Sequence, residues 1–469
     1  MLRYLLRRLV VFIPTLLVIS LLAFGLSKVA PGDPVEDKSE AATRVSDPER
    51  VYRETATFWG LDKPVFYFSL TSAAYPDSLY KIVLKYRRET LQKLIAQYGN
   101  WPQIDAYYQQ IQALEATLYT LPYGHAVQEA GLVRSTVRDL YLHHRDARIS
   151  VILDTLQALA ARDSALMRVA GTQINTLQQQ YVQVKSTATL SKLLQPDFKW
   201  HGLDNQYHNW FSRFLRGDFG RSYYDSRPVA HKMKDALFWT LVMNGTAILL
   251  AYILSIPIGV FSAVRRNTPT DRVLTVLLFV LYSLPTFWIA TMLVVFFTTP
   301  QYGMDWFPTM GVGNVPDSAS LWQLLSTRIE HLALPVFCLT YGSLAFISRQ
   351  MRGGMLDVLQ QDYVRTARAK GLPHRTVIWK HAFRNALFPL VTMFASVFPA
   401  MLAGSVVIEV IFNIPGMGKL TIDAINARDW PVVYTVLMLS AILTMVGILI
   451  SDMLYAALDP RVSYRRRQA

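Results

Sequence analysis

The stretch QDYVRTARAKGLPHRTVIWKHAFRNAL, Gln361 to Leu387, decides how this chain reads. It carries Arg365, Arg368, Lys370, Arg375, Lys380 and Arg384 against a single acid, Asp362, and apolar runs flank it on both sides. Met355–Lys370 reads as a helix at a membrane surface, with Leu356, Leu359, Tyr363, Ala367 and Lys370 along one side. Gly371 follows at the place that favours a left-handed residue past a helix end. Pro373 then suits the first turn of a second short helix. A loop that only sets topology needs the charge, but not this order of helix, glycine and helix. A rigid cytoplasmic elbow suits the transmission of force from a partner.

The flanking runs are membrane-grade. The chain has 469 residues, 52% of them hydrophobic, and a span needs roughly 20 largely apolar residues to cross ~30 Å of hydrocarbon. Six candidates meet this: Leu9–Ser27, Phe238–Val264, Val273–Thr299, Leu332–Ile347, Pro389–Phe412 and Val433–Leu458, the fourth being the shortest. With the N-terminus in the cytoplasm, the cytoplasmic pieces are residues 1–8, 265–272, 349–388 and 459–469. They hold 18 of the 47 Lys and Arg but only four of the 33 acids, and so the whole net charge of +14. This is the positive-inside bias. It places both termini in the cytoplasm and argues against a nucleic-acid patch, the other meaning of a basic chain. The first span is too long for the apolar core of a cleaved signal and no A-x-A site follows, so it reads as a retained anchor.

The chemistry of catalysis has little to stand on. NIPGMGKL resembles a phosphate loop only faintly, since Asn413 stands where the first glycine belongs and Leu420 where a hydroxyl must reach magnesium. The adjacent His143 and His144 do not share a helix face, and the lone Cys338 makes neither a disulfide nor a metal site. No catalytic residue and no metal site is expected. Two carboxylates fall inside spans, Glu409 and Asp452. Such groups line a wet pathway or bond one helix to another. Asn244, Ser283, Thr340, Ser343, Ser396 and Ser405 are the candidate path-lining residues, on polarity alone.

About 200 residues separate the first two spans, and long segments cross the membrane regardless of charge. Residues 29–237 are therefore expected outside the cytoplasm, between a stub and anchor at 1–28 and a five-helix membrane core at 238–469. The middle of this region, about 71–205, reads as helix. Ile152, Leu156 and Leu159 recur at helical spacing, as do Ala170, Ile174, Leu177, Tyr181 and Val184. Similar stripes run through Tyr80–Tyr98 and Ile104–Leu121, with Asn100 and Pro102 placed to cap and start the second. A packed helical hairpin or bundle follows. The pattern slips near Arg162 and Asp163, which weakens a coiled-coil reading.

YVRTARAKGL together with HAFRNALFP resembles the EAA-type cytoplasmic loop of ABC importer permeases, specifically those of the dipeptide/oligopeptide/nickel family. GLDKP, FLRGDFGRSY, LPTFWIA, VIEVIFNIPGMGKL and ALDPRV agree, in the expected order, over residues 1–70 and 205–469. Where the family has Glu-Ala-Ala, this chain reads Arg365-Thr366-Ala367. The resemblance implies an all-α, six-span type I importer permease in a bacterial cytoplasmic (inner) membrane. It implies a second permease chain, commonly a different one, two ATP-binding cassette ATPases that bind ATP and Mg, and an extracytoplasmic substrate-binding protein. No cofactor is implied for this chain and no nucleic acid, while membrane lipid surrounds it. Peptides or related small solutes are the implied cargo. Arg365, Thr366, Ala367, Lys370, Gly371, Leu372 and Arg375 become the ATPase-coupling residues. The departure is the insert at about 71–205, which is either a stabilising decoration or a docking platform. A sensor would want a larger cytoplasmic domain, and a secondary transporter would want internal repeats and paired midplane charges.

Overall fold

The computed structural model describes residues 2–36, 48–120, 130–316, 318–391, 393–394 and 404–458. In chain order the elements begin with α1 (Leu2–Val29), α2 (Pro48–Phe58), β1 (Phe68–Ser72), α3 (Lys85–Tyr98) and α4 (Trp101–Thr120). Next come α5 (Ala130–Asp139), α6 (Asp146–Arg162), α7 (Ser164–Ser186), β2 (Pro196–Trp200) and α8 (Gln206–Leu215). The long helices α9 (Val229–Val264), α10 (Pro269–Ser283), α11 (Thr286–Thr298) and α12 (Leu321–Leu359) lead to α13 (Asp362–Ala369). The chain then passes through α14 (Val406–Ile411) and α15 (Met417–Asn426) to α16 (Trp430–Leu458). These elements form two compact units, Asp33–Arg216 and, joined from both sides of it, Met1–Gly32 with Gly217–Ala469.

The unit Asp33–Arg216 is a helical bundle with one short ribbon. Every residue of the two stripes on α6 and α7 is buried, against Ile104, Ile111, Leu114 and Leu118 of α4. The slip at Arg162–Asp163 is a helix break. The Asp163 carboxylate accepts from the amides of Ala165 (2.9 Å) and Leu166 (3.2 Å) and so starts α7. α6 and α7 are therefore a hairpin and not one coiled-coil strand. Asn100 does not cap α4 as its position suggests. Its side-chain amide donates instead to Val184 O and Thr187 Oγ1, both at 2.9 Å, and ties the start of α4 to the end of α7. Arg87, 2% exposed, donates to both Glu49 oxygens (2.9 and 2.7 Å) and lies 3.7 Å over the Tyr141 ring, which docks α2 on the bundle. The strands β1 and β2 pair antiparallel, Phe68 opposite Trp200 and Leu70 opposite Phe198, an element that the helical stripes gave no sign of.

Among the described residues, four helices of the other unit are long and apolar enough to cross a bilayer, and the α10–α11 pair makes a fifth crossing if its halves are one span. That pair corrects the expectation of one straight span over Val273–Thr299, because its halves meet at 91°. Pro285 has no amide hydrogen and forces Leu284 out of the helical region, to φ −82° and ψ 127°. The Tyr341 hydroxyl donates to Leu284 O at 3.2 Å and satisfies the carbonyl freed by the break. The fourth candidate, the shortest in sequence, lies within the longest helix. α12 has 39 residues, starts at a Ser320–Gln323 capping box and carries the basic residues Arg349 and Arg352 as a continuation of the span. The fifth candidate, Pro389–Phe412, is not one continuous helix. Gly404 has φ +79°, Ser405 is extended, and a six-residue helix follows.

α9 and α12 cross closely. Ser255 Oγ donates to Leu344 O and Ser348 Oγ to Ser255 O, each at 3.2 Å, and Thr340 Oγ1 donates to Ala247 O at 3.3 Å. A Cβ on Gly259 would stand 2.6 Å from both Ser348 O and Met351 Cβ. Small residues thus set the helix separation, as expected where both faces are as apolar as lipid. Gly245 of the same helix meets nothing within 4 Å. Gly259→Ala should therefore lower the stability of the detergent-solubilised protein by about 1–3 kcal/mol relative to Gly245→Ala. Thermal unfolding of the two variants side by side reads the difference, and equal midpoints would mean that the crossing is not sterically tight.

Candidate functional site

The elbow is built by two breaks in one basic segment. α12 ends at Leu359 and Gln361 is extended, so α13 begins afresh at Asp362. The single helix expected over Met355–Lys370 is two, and its inward face differs accordingly. Val364 and Ala367 are buried with Met351, Met355, Val377, Ile378 and Ala382, whereas Tyr363 and Lys370 are exposed. At the other end the Gly371 amide donates to Arg368 O (3.0 Å) and the Leu372 amide to Ala367 O (3.4 Å), with Gly371 at φ +74°. These are the paired bonds of a Schellman turn, the reason a glycine stands there. Pro373 is extended and precedes the next helix instead of lying in its first turn. The second arm runs through His374–Thr376, a π-helical turn over Val377–Ala382, and Phe383–Ala386.

Of the coupling residues, Arg365, Thr366, Lys370, Gly371, Leu372 and Arg375 are exposed together on and after α13. Ala367 points inward, so it fixes the helix to its own chain. The cationic face is nearly unneutralised from within, since the Asp362–Arg365 pair, at 3.6 Å and fully in solvent, is of the kind worth little. The root of the elbow is held by a residue the sequence gave no reason to single out. Asp271, 4% exposed, accepts from Arg352 Nη2 (2.9 Å) and Nε (3.3 Å), from the Asn267 amide (3.1 Å) and from Ser262 Oγ. It ties α12 to the α9–α10 turn. The only sequence signal was a lone acid in the basic run RRNTPTDR.

Glu409 organises a second feature. It is wholly buried and accepts from Lys419 N (2.9 Å), Thr240 Oγ1 (3.1 Å) and Ser405 N (3.2 Å). Thr240 Oγ1 in turn accepts from Met417 N at 2.8 Å. A Cβ on Gly416 would lie 2.5 Å from the Glu409 carboxyl carbon, and one on Gly418 3.0 Å from Oε2. The glycines of IPGMGK thus let the backbone close on the carboxylate, and the α14–α15 hairpin folds around it. Asp452 pairs with Arg8 of α1 at 2.8 Å, a bond between the first and last spans.

The candidate path residues fall on several elements. Thr340 is buried and bonds α12 to α9. Ser283 closes on Phe279 O (2.8 Å) at the α10–α11 break. Ser405 starts α14 beside Glu409. Asn244 is buried on α9 and Ser343 half-buried on α12, while Ser396 lies outside the described residues.

Residues 255–464 match the family model described as the binding-protein-dependent transport system inner membrane component. The oligopeptide transport system permease protein AppB of Bacillus subtilis (strain 168) is 40% identical over 260 residues, 55% of this chain and 80% of that protein. The chain belongs to this permease family. The glutathione transport system permease protein GsiC of Salmonella typhi is 35% identical over 268 residues, 56% of this chain and 82% of that protein. The inward-facing MetNI methionine ABC transporter is similar over 50% of this chain and 99% of that chain, with TM-score 0.40 and 19% identity. The permease is a multi-pass inner-membrane subunit of an ABC importer, not an enzyme. ATP hydrolysis belongs to partner ATPase subunits, and a permease partner completes the membrane part.

Glu409→Gln keeps the shape of the side chain but turns an amide NH₂ toward backbone amides that now donate to it. The hairpin should loosen by about 1–3 kcal/mol. Limited proteolysis between Asn413 and Lys419 should become faster in this variant. Unchanged cleavage would show that the carboxylate does not hold the hairpin.

Proposed function

We propose that this permease forms one half of a translocation pathway for peptides or related small solutes, and that α13 with Gly371 seats on an ATPase subunit. The observation that carries the reading is the elbow, where an exposed cationic helix face is locked by Val364, Ala367 and a Schellman turn onto the end of α12. The names of the relatives AppB and GsiC support the peptide class. The second permease is a different chain, two ATPases bind the pair from the cytoplasm, and an extracytoplasmic binding protein delivers the solute. The positive-inside distribution supports cytoplasmic termini and an outer position for the insert at about 71–205. Closing of the ATPases on ATP pushes the elbow, and α12 carries the push into its close crossing with α9. The pathway alternates as a rigid-body switch biased by nucleotide. Glu409 and Asp452 act within it as helix fasteners.

The turn gives a sharp test. A Cβ at Gly371 meets open space, so only the left-handed backbone resists substitution. Asn adopts that conformation readily, whereas a β-branched residue is strained by about 1–2 kcal/mol. In reconstituted vesicles with the partner subunits, Gly371→Val should abolish solute-stimulated uptake while basal ATP hydrolysis persists, and Gly371→Asn should retain uptake. Normal uptake by Gly371→Val would remove the coupling role from this turn.

A further inference from the structure

A cleft of about 610 Å³ opens within the unit Asp33–Arg216, where three loops meet. They are the loop after α2, the turn Leu79–Lys81 before α3, and the stretch between β2 and α8. A volume of that size lies in the usual range of small-molecule sites. The acids Asp62 and Asp204 and the lysines Lys63 and Lys81 line it. Lys63 and Asp204 pair with each other at 2.6 Å. The other two are left over. Asp62 Oδ1 is buried and accepts no hydrogen bond among the described residues. Lys81, exposed on the rim, is in no ion pair among them.

Asp62 is held in place by its neighbours, not by its own side chain. The Gln206 side-chain amide donates to Leu61 O (3.3 Å) and Lys63 O (2.7 Å), on either side of it. The Leu61 amide donates to Ala56 O at 2.8 Å and fixes the loop to the end of α2. A carboxylate oxygen withdrawn from water without a donor is a standing cost. A fixed loop that turns one into a cleft leaves a place for a donor from outside. The walls are fixed as well, since Tyr80 meets His201 edge-on at 6.1 Å and His201 Nε2 is tied to Ser69 Oγ at 3.0 Å. Among the described residues no three His, Cys, Asp or Glu side chains gather to hold a metal ion. With Lys63 and Asp204 neutralising each other, one negative charge remains inside the cleft and one positive charge on its rim. We infer that the cleft binds a small zwitterion, its ammonium on Asp62 and its carboxylate on Lys81, the class of free amino acids and short peptides. The inference rests on this cleft alone, and on neither the cargo nor the ATPase contact proposed above.

The test titrates alanine, dialanine and trialanine into the full-length permease in nanodiscs and reads binding by calorimetry. At least one should bind at millimolar concentration or below, and the tightest of the three gives the length of the ligand. Acetylation of its amine or amidation of its carboxylate should each weaken binding about tenfold, because one charge-assisted bond is lost. Asp62→Asn and Lys81→Met should each weaken the unblocked ligand by a similar factor of about ten, while Asp154→Asn on α6 should not. Because Asp62 Oδ1 has no donor to lose, Asp62→Asn should unfold at the same temperature as the parent or a higher one. That separates loss of binding from loss of the fold. No binding of any of the three ligands, or equal binding by Asp62→Asn, would overturn the inference. Equal affinity for a blocked ligand would take the charged pair out of recognition and overturn it as well.

Discussion

A backbone amide or carbonyl inside hydrocarbon has no water to bond, so each break in a membrane helix must bring its own partners. The membrane unit meets this constraint twice, by different means. At Pro285 the span turns through 91° and a hydroxyl from α12, that of Tyr341, reaches the Leu284 carbonyl. Around Gly404–Ser405 and between α14 and α15 the backbone is irregular, and the buried Glu409 carboxylate gathers the Ser405 and Lys419 amides. Both solutions give rigid breaks. A carboxylate that accepts several charge-assisted bonds in a dry site holds its loop more firmly than water would.

The same logic of fixed breaks governs the elbow outside the membrane. α13 is only eight residues long and would not persist alone. Burial of Val364 and Ala367, the turn at Gly371 and the Arg352–Asp271 pair at its root make it one body with α12. α12 is in turn fastened to α9 by Ser255, Ser348, Thr340 and the bare backbone of Gly259. In the proposed coupling role, a displacement of the elbow would pass along α12 to its crossing with α9 through packed, nearly incompressible contacts.

Much of this was legible in the sequence, and the misses share a cause. Spans with uninterrupted apolar runs, the helical stripes of α6 and α7, and the Gly371 turn each follow from local pattern. The elements misread are those decided by distant partners. The break at Pro285 relies on Tyr341, 56 positions away in sequence, and Asp271 looked like a stray acid until Arg352 met it. Glu409 read as either a path residue or a fastener. Only the fold shows the glycines of IPGMGK closing around it. The ribbon escaped notice because its two strands lie more than 120 residues apart and its apolar residues alternate over only five positions each. Asn100 was assigned to cap α4, and packing turned its amide to the end of α7 instead.

The account rests most heavily on the claim that the exposed face of α13 and the turn after it meets an ATPase subunit. A photo-crosslinking residue placed at Leu372, in the permease expressed in its own membrane, tests that contact directly. The account predicts an adduct with an ATP-binding cassette subunit at position 372 and none from a crosslinker at the buried position 364. Absence of any ATPase adduct at 372, under conditions where the complex remains intact, would contradict it and leave the basic loop as a determinant of topology alone.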